Sequence, residues 1–259
     1  MRQIWDFSHQ IMRGSATQVI PVSGGFAVLH EQFAGSYEHN CLVIDTALPA
    51  ALLMSEADRV LGAAGLSHRA IEMAVESLDD SWLEEFRSAG YQVHPTVVMA
   101  LHRQSARQGR TPVERAPYDD LRSVVATGWR RELPQATEES IGQLVERRTV
   151  TARACTVTHH VVRQGGGIVA RCDLYRIPPI AQVETVETEP EWRNRGYATA
   201  VVLDAVDLAR ESACDLIFLF AAADDWPQHL YRRLGFARVG GGYTLQRPAA
   251  AAPREPARS

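Results

Sequence analysis

The chain is poor in the residues that staple or metallate a small fold. Its four cysteines, Cys41, Cys155, Cys172 and Cys214, are widely scattered, which excludes a disulfide framework and a paired-cysteine metal site and leaves reduced, mostly buried thiols. A basic surplus is missing too: the formal net charge is −4, which lends no support to nucleic-acid binding. The opening stretch, Met1 to Gly14, has mixed polarity and no long apolar core, so it reads as neither signal peptide nor membrane span. No Ser/His/Asp order and no Gly-x-Gly-x-x-Gly turn is present, so hydrolase and dinucleotide-binding readings are poor. His159 and His160 are neighbours on a predicted strand and point to opposite faces, so they cannot share a metal. These absences imply a cytoplasmic protein without metal, membrane or nucleic-acid partner; a monomer or homodimer is expected. At 259 residues, 46% hydrophobic, the chain is long enough for one large domain or two small ones, each with its own core.

What is present is concentrated in the second half. Ile180 to Thr188 is β-rich, and the separation of Val183 from Val186 fits a strand with an irregularity better than strict alternation. Ala198, Val201, Val202, Ala205, Val206 and Leu208 then recur at helical spacing. The turn between, Pro190 to Thr199, is therefore a helix start, where unpaired N–H groups and the positive end of the dipole favour an anion such as pyrophosphate. Gly196 permits close backbone approach, Ala198 keeps the next turn small, and Arg193 and Arg195 add charge. Further on, Leu216 to Phe220 is a strand-type run. After it Pro227 suits a first helical turn, Asp224 or Asp225 a cap, and Gly235 a helix end, which presents Tyr231 on one face.

The pattern Arg193-x-x-Gly196-x-Ala198 between strand and helix, followed by Leu230-Tyr231-x-x-Leu234-Gly235-Phe236, resembles the two hallmarks of the GNAT acetyltransferase superfamily. The resemblance covers roughly the last half of the chain. It implies an α/β (α+β) fold, a mixed, mostly antiparallel sheet flanked by helices, and acetyl-CoA as co-substrate. It also implies that the backbone around Val186, Glu187 and Thr188 faces the thioester and that Asn194, Arg195, Gly196, Tyr197, Ala198 and Thr199, with Arg193, hold the pyrophosphate. Tyr231 falls on the family's usual general acid; a phenol near ~10 against a thiol near ~8.5 suits hydrogen-bond stabilisation of the leaving thiolate and transient donation. Many members carry a basic carboxylate on the next strand, but Leu219 stands there. The base is then Glu184, acting directly or through a water, or no dedicated base exists. Asp224 replaces a frequent Asn that contacts the pantetheine arm, and serves either that contact or a plain cap. Trp192 and Trp226 wall the site or merely pack.

Helices are predicted over 118–132 and 138–150, strands over 154–163, 167–176, 180–188 and 242–246, with a hairpin turn at Gln164-Gly165-Gly166. The polar stretch Arg103 to Pro117 reads as a linker. Before it, Trp82 to Tyr91 can be laid on the Tyr231 segment so that Phe86 meets Tyr231 and Gly90 meets Gly235, with Ser55 to Ala64, Ala70 to Val75 and Cys41 to Asp45 as earlier counterparts. The turn Thr46 to Pro49 lacks the cradle pattern, and Phe86 lacks the hydroxyl. The expected organisation is thus a degenerate GNAT-like lobe over 1–105, or an unrelated α/β domain, then a linker at 106–117, a catalytic domain at 118–247 and a disordered tail at 248–259. The expected activity is direct acetyl transfer from acetyl-CoA to a primary amine of a small molecule or peptide. The alternative is a non-catalytic acyl-CoA-binding regulatory or interaction module.

Overall fold

The computed structural model describes residues 1–103, 111–223 and 227–248. Asp224, Trp226, most of the predicted tail and the start of the predicted linker lie outside them. The first half runs α1 (Arg2–Ser15), β1 (Gln18–Val22), β2 (Gly25–Leu29), β3 (Cys41–Ile44), α2 (Ala50–Ala63), β4 (Arg69–Met73), α3 (Asp80–Ser88) and β5 (Gln92–Leu101). The second runs β6 (Glu114–Ala116), α4 (Tyr118–Glu132), α5 (Glu138–Glu146), a 3₁₀ turn (Arg147–Arg153), β7 (Thr156–Gln164), β8 (Gly167–Ile177), β9 (Ile180–Thr188), α6 (Tyr197–Glu211), β10 (Leu216–Ala222), α7 (Pro227–Arg233) and β11 (Phe236–Arg247).

The eleven strands of the described residues share one sheet, ordered β1-β2-β3-β4-β11-β5-β10-β9-β8-β7-β6. The only parallel pairs among the described residues are β3 with β4 and β9 with β10. Replacing every strand by its counterpart in the other half (β1 with β7, β2 with β8, β3 with β9, β4 with β10, β5 with β11) turns the order round and leaves it unchanged, apart from the extra edge strand β6. The centre of this arrangement is an exchange: β5 of the first half pairs with β10, and β11 of the second half pairs with β4. β5 and β11 pair with each other from Phe236↔Leu101 to Gln246↔Gln92, joining the halves by main-chain hydrogen bonds.

Alternation along the strands then divides the side chains between two faces. On one face α2 and α3 cover Leu42, Ile44, Ile71 and Met73, while α6 and α7 cover Ala181, Val183, Ile217 and Leu219, forming two separate cores. On the other, α1 lies across the junction with Ile4, Phe7 and Ile11 against Val98, Ala100 and Phe218. Its spacing, at i, i+3 and i+7, is that of one helix face. A Cβ on Gly242 would stand 2.4 Å from the Met73 carbonyl oxygen and 3.0 Å from the Trp5 ring; glycine there lets α1 settle onto β11. α4 and α5 close the same face over β7 through Leu121, Val125, Ile141 and Val161.

Several elements depart from their sequence reading. Residues 114–116, read as linker, form an edge strand on β7. The helix read over 138–150 ends at Glu146 and tightens into the 3₁₀ turn. The last strand begins at Phe236, six residues early, because Gly240 to Gly242 interrupt the apolar alternation that would announce it.

Candidate functional site

The site begins where β9 and β10 part. They pair only at Leu216↔Ile180, Ile217↔Ala181 and Phe218↔Gln182, although β9 continues to Thr188 and β10 to Ala222. Just beyond the last pair, β9 bulges against β8: Asp173 faces Glu184 and Arg171 faces Glu187, so β9 holds one residue more. Thr185 takes up the irregularity with φ of 51°. The extra residue keeps Val183 and Val186 on the same face, against the α6 core. The two strands thus leave a slot from one face of the sheet to the other, with Val186, Glu187 and Thr188 along one lip.

On the α6 side of the slot, Pro190–Trp192 make a 3₁₀ turn and the chain enters α6 through Asn194 (φ 61°) and Gly196 (φ 82°). No side chain caps the helix, so the amides of its first turn are left for an external acceptor. Nothing lies within 4 Å of where a Gly196 Cβ would be, which keeps the approach open. Arg193 and Arg195 flank it, exposed; Arg193 donates to the Thr188 carbonyl (3.3 Å), and the Arg195 guanidinium stacks over Trp192, 4.7 Å from its ring centroid. Trp192, Tyr197 and Ala198 pack against the core that contains Tyr231. Thr199, one position on, is half-buried in the same first turn. Free amides at a helix start, flanked by two arginines, make an anion-attracting end of the kind that suits a pyrophosphate.

Tyr231 is buried on α7, 7% exposed, its ring 6.2 Å from that of Phe236 and inclined at 65°. Gln228 fastens the start of α7 to β10 through the Ala222 carbonyl (2.9 Å). Asp224, read as a pantetheine contact or cap, lies outside the described residues.

Glu184 is on the opposite face from Tyr231. It opens into a cavity of ≈ 700 Å³ lined by α1, α4, α5 and strands of both halves, which continues into a smaller chamber of ≈ 280 Å³. Gln182 donates to Glu184 at 2.5 Å. Burial, reinforced by Glu38, raises the Glu184 carboxyl to about 7, against the Gln182 hydrogen bond. The neighbouring cavity-side positions on β10 are Phe218 and Phe220, while Leu219 faces the α6 core. No proton-transferring group therefore stands on that strand.

Sequence reading missed most of this cavity. Trp5, His9 and Met12 of α1, Glu38, Glu72 of β4, Trp129 of α4 and Arg147 all line it. The apolar spacing of Ile4, Phe7 and Ile11 was the available signal for α1; Glu72 and Glu38 carry none. Arg147 is paired with Glu38 at 3.0 Å and donates to Ser36 at 2.6 Å.

Behind the bulge lies a buried charge cluster. Arg148 donates to Asp173 (2.6 Å) and to the Thr185 hydroxyl (3.1 Å), and His159 meets the other Asp173 oxygen at 2.7 Å. Burial pushes the Asp173 carboxyl up, but the His159 hydrogen bond and the Arg148 charge outweigh it and hold it below the usual range. Arg171 pairs with Glu187, so the Glu187 side chain braces β9 against β8. His160 points the other way, to Asp204 of α6 at 2.6 Å. No group of His, Cys, Asp and Glu arranged to hold a metal occurs among the described residues, and no helix there is long and apolar enough to cross a membrane.

Residues 118–236 match the model of the acetyltransferase (GNAT) family. A conserved protein of unknown function from Staphylococcus epidermidis shares the fold over 90% of this chain and 94% of its own, with TM-score 0.72 and 12% identity. A GCN5-related N-acetyltransferase from Kribbella flavida does so over 95% of both chains, with TM-score 0.61 and 15% identity. A tandem GNAT protein from the clavulanic acid biosynthesis pathway, solved without acetyl-CoA, is similar over 77% of this chain and 70% of its own, with TM-score 0.51 and 17% identity. By sequence the chain matches no curated protein. The match to the GNAT family model lies in the second half of the chain, from α4 to the start of β11.

Proposed function

We propose that this chain is a GNAT acetyltransferase that transfers an acetyl group from acetyl-CoA to a primary amine in a ternary complex, and that it is built of two GNAT-like halves of which only the second reacts. The slot between β9 and β10 carries the reading: it has an uncapped, glycine-entered helix start on one side and a carboxylate poised near neutrality on the other. The donor enters from the α6 face, with its pyrophosphate on the amides from Asn194 to Thr199 and its thioester at the lip formed by Val186, Glu187 and Thr188. The acceptor enters from the α1 face.

There the amine nitrogen attacks the thioester carbonyl. A C–N bond forms, the C–S bond breaks, and the developing negative oxygen is met by backbone N–H groups that the Thr185 bulge turns out of the β8–β9 ladder. Glu184 takes the amine proton. Tyr231 donates to the departing thiolate and is reprotonated from solvent after release. Arg148, Asp173 and His159 hold the bulge in position without touching the reactants.

A thiol-release assay with acetyl-CoA and a library of amines tests the activity. The chain has no lysine, all 27 basic side chains being arginine, so acetyl appearing on small amines is not confused with acetylation of its own lysines. Amine-dependent release supports the proposal. Acetyl-CoA binding with no release across a broad panel would instead establish an acyl-CoA-binding module.

A further inference from the structure

The cavity on the α1 face is larger than one amino group needs, and its chemistry is lopsided. Trp5, Tyr37, Trp129, Tyr175, Phe220 and Tyr243 contribute aromatic walls. Such walls favour cations through their ring faces. Of the charged side chains in the larger cavity, Arg147 is already paired with Glu38. Glu72 and Glu184 have no basic partner within ion-pair distance among the described residues; Glu72 accepts from the Thr244 hydroxyl at 2.8 Å, and Glu184 from Gln182. His9 on the wall of this cavity and His39 in the smaller chamber do not offset them, since burial holds both below their ordinary range, His39 at about 4.

These two carboxylates stand in different halves of the molecule. Glu184 is on β9 and Glu72 on β4, with β11, β5 and β10 between them. Four strand spacings amount to about 19 Å between backbones, which side chains leaning into a shared cavity reduce to on the order of 10–15 Å. Glu38 lies between in electrostatic effect, since its charge acts on both. The volume of ≈ 700 Å³ is that of a site for a small organic molecule.

We infer that the acceptor is an elongated small molecule with two cationic groups: one amine reacts beside Glu184, and the second is anchored by Glu72 of the first half, between the aromatic walls. The inference rests on the acetyltransferase reading for its reacting end; the anchoring end rests on the cavity alone. It gives the first half a direct task, selecting the acceptor. Burial raises Glu72 to about 8 in the empty cavity, so seating a cation there also releases a proton near neutral pH.

The test uses four probes: 1,8-diaminooctane, octylamine, 8-aminooctanoate and the shorter 1,4-diaminobutane. Thiol release should favour 1,8-diaminooctane over octylamine by about tenfold or more in kcat/KM, the ratio expected of one charge-assisted contact. 8-Aminooctanoate should be poorest, and 1,4-diaminobutane should lose the advantage because it cannot span the carboxylates. Glu72→Gln should reduce the preference to near unity; if that variant does not fold, Glu38→Gln on the rim should reduce it in part. Equal turnover of diamine, monoamine and amino acid overturns the inference while leaving the acetyltransferase intact. If no amine is turned over, calorimetric binding of 1,8-diaminooctane decides independently. Tighter binding than octylamine, with proton release that Glu72→Gln abolishes, sustains the second anchor; equal binding overturns it.

Discussion

The two halves of this chain have the same strand order, β6 aside, and part company most clearly at the strand before the long helix. In the second half β9 outruns its pairing with β10, bulges at Thr185 and opens a slot. In the first half β3 ends with its pairing: Leu42, Val43 and Ile44 meet Ile71, Glu72 and Met73, and the Ala74 amide still reaches the Ile44 carbonyl at 2.8 Å. The loop after β3 is stapled shut by Trp82 of α3, whose indole donates to the Leu48 carbonyl at 2.8 Å. Even the aromatic pair behind the slot is repeated. Phe86 and Tyr91 meet edge to face at 5.1 Å, as Tyr231 and Phe236 do at 6.2 Å, but the first half has put its hydroxyl on the other ring. Both halves keep the aromatic pair; in the proposed reaction, the chemistry alone calls for an open slot and a phenol at the α7 position.

The sharpest way to break this comparison is to separate the halves. Residues 1–103 and 111–259 produced apart should each fail to give a cooperative thermal transition, and should regain it when co-expressed, because each lacks the strand that closes its sheet. A cooperative melt from either fragment alone would mean that the exchange is dispensable. Next in size, Tyr231→Phe should lower kcat by about 100-fold, the ordinary worth of a positioned proton donor. The mirror change, Phe86→Tyr, should leave kcat alone and cost about 1–3 kcal/mol of stability in denaturant melts, the penalty for burying an unpaired hydroxyl.

Smaller again, Gly196→Val must hold a branched residue at positive φ, a strain of about 1–2 kcal/mol, so acetyl-CoA binding measured by calorimetry should weaken about tenfold. Ala47→Val, in the corresponding turn of the first half, should not alter it. The gentlest probe is pH. Glu184 must be ionised to accept a proton, so kcat/KM should fall as pH drops through about 7, and that limb should vanish in Glu184→Gln. Glu72 has the opposite readout, in stability: its folded value of about 8 lies above that of an unfolded glutamate near ~4.3. The folded state therefore binds the extra proton, and the contribution of Glu72 is full below that unfolded value and lost as pH rises through about 8. Glu72→Gln should flatten the fall in melting temperature over that range.

How much could be read beforehand follows the range of the forces involved. The helix over 118–132 and the strand over 180–188 match their readings because local periodicity specifies them. The bulge was legible in the spacing of Val183 and Val186, since an inserted residue leaves a visible fault in a two-residue repeat. The edge strand β6 was not, because Glu114-Arg115-Ala116 has no apolar alternation and pairs on one side only. The exchange of β5 and β11 was also hidden: the strands are of similar length, and nothing local distinguishes a strand's own neighbour from its counterpart's. The cavity suffered most. Trp5, Glu38, Glu72, Trp129 and Glu184 come from four separate elements and a turn, and only tertiary packing brings them to one space.

The pairing of β4 with β11 has a consequence for synthesis. The edge left by β4 is finished when residue 73 has emerged, but its partner begins at residue 236, roughly 10–30 s later at ordinary rates of translation. During that interval the nascent chain carries an unpaired strand edge, the surface most apt to join another chain, and β5, emerging in the meantime, is the complementary strand nearest to hand. A temporary hairpin-like pairing of β4 with β5 would shield that edge, and β11 would then have to enter between them. The last strand to leave the ribosome is thus the one that must enter the middle of the sheet.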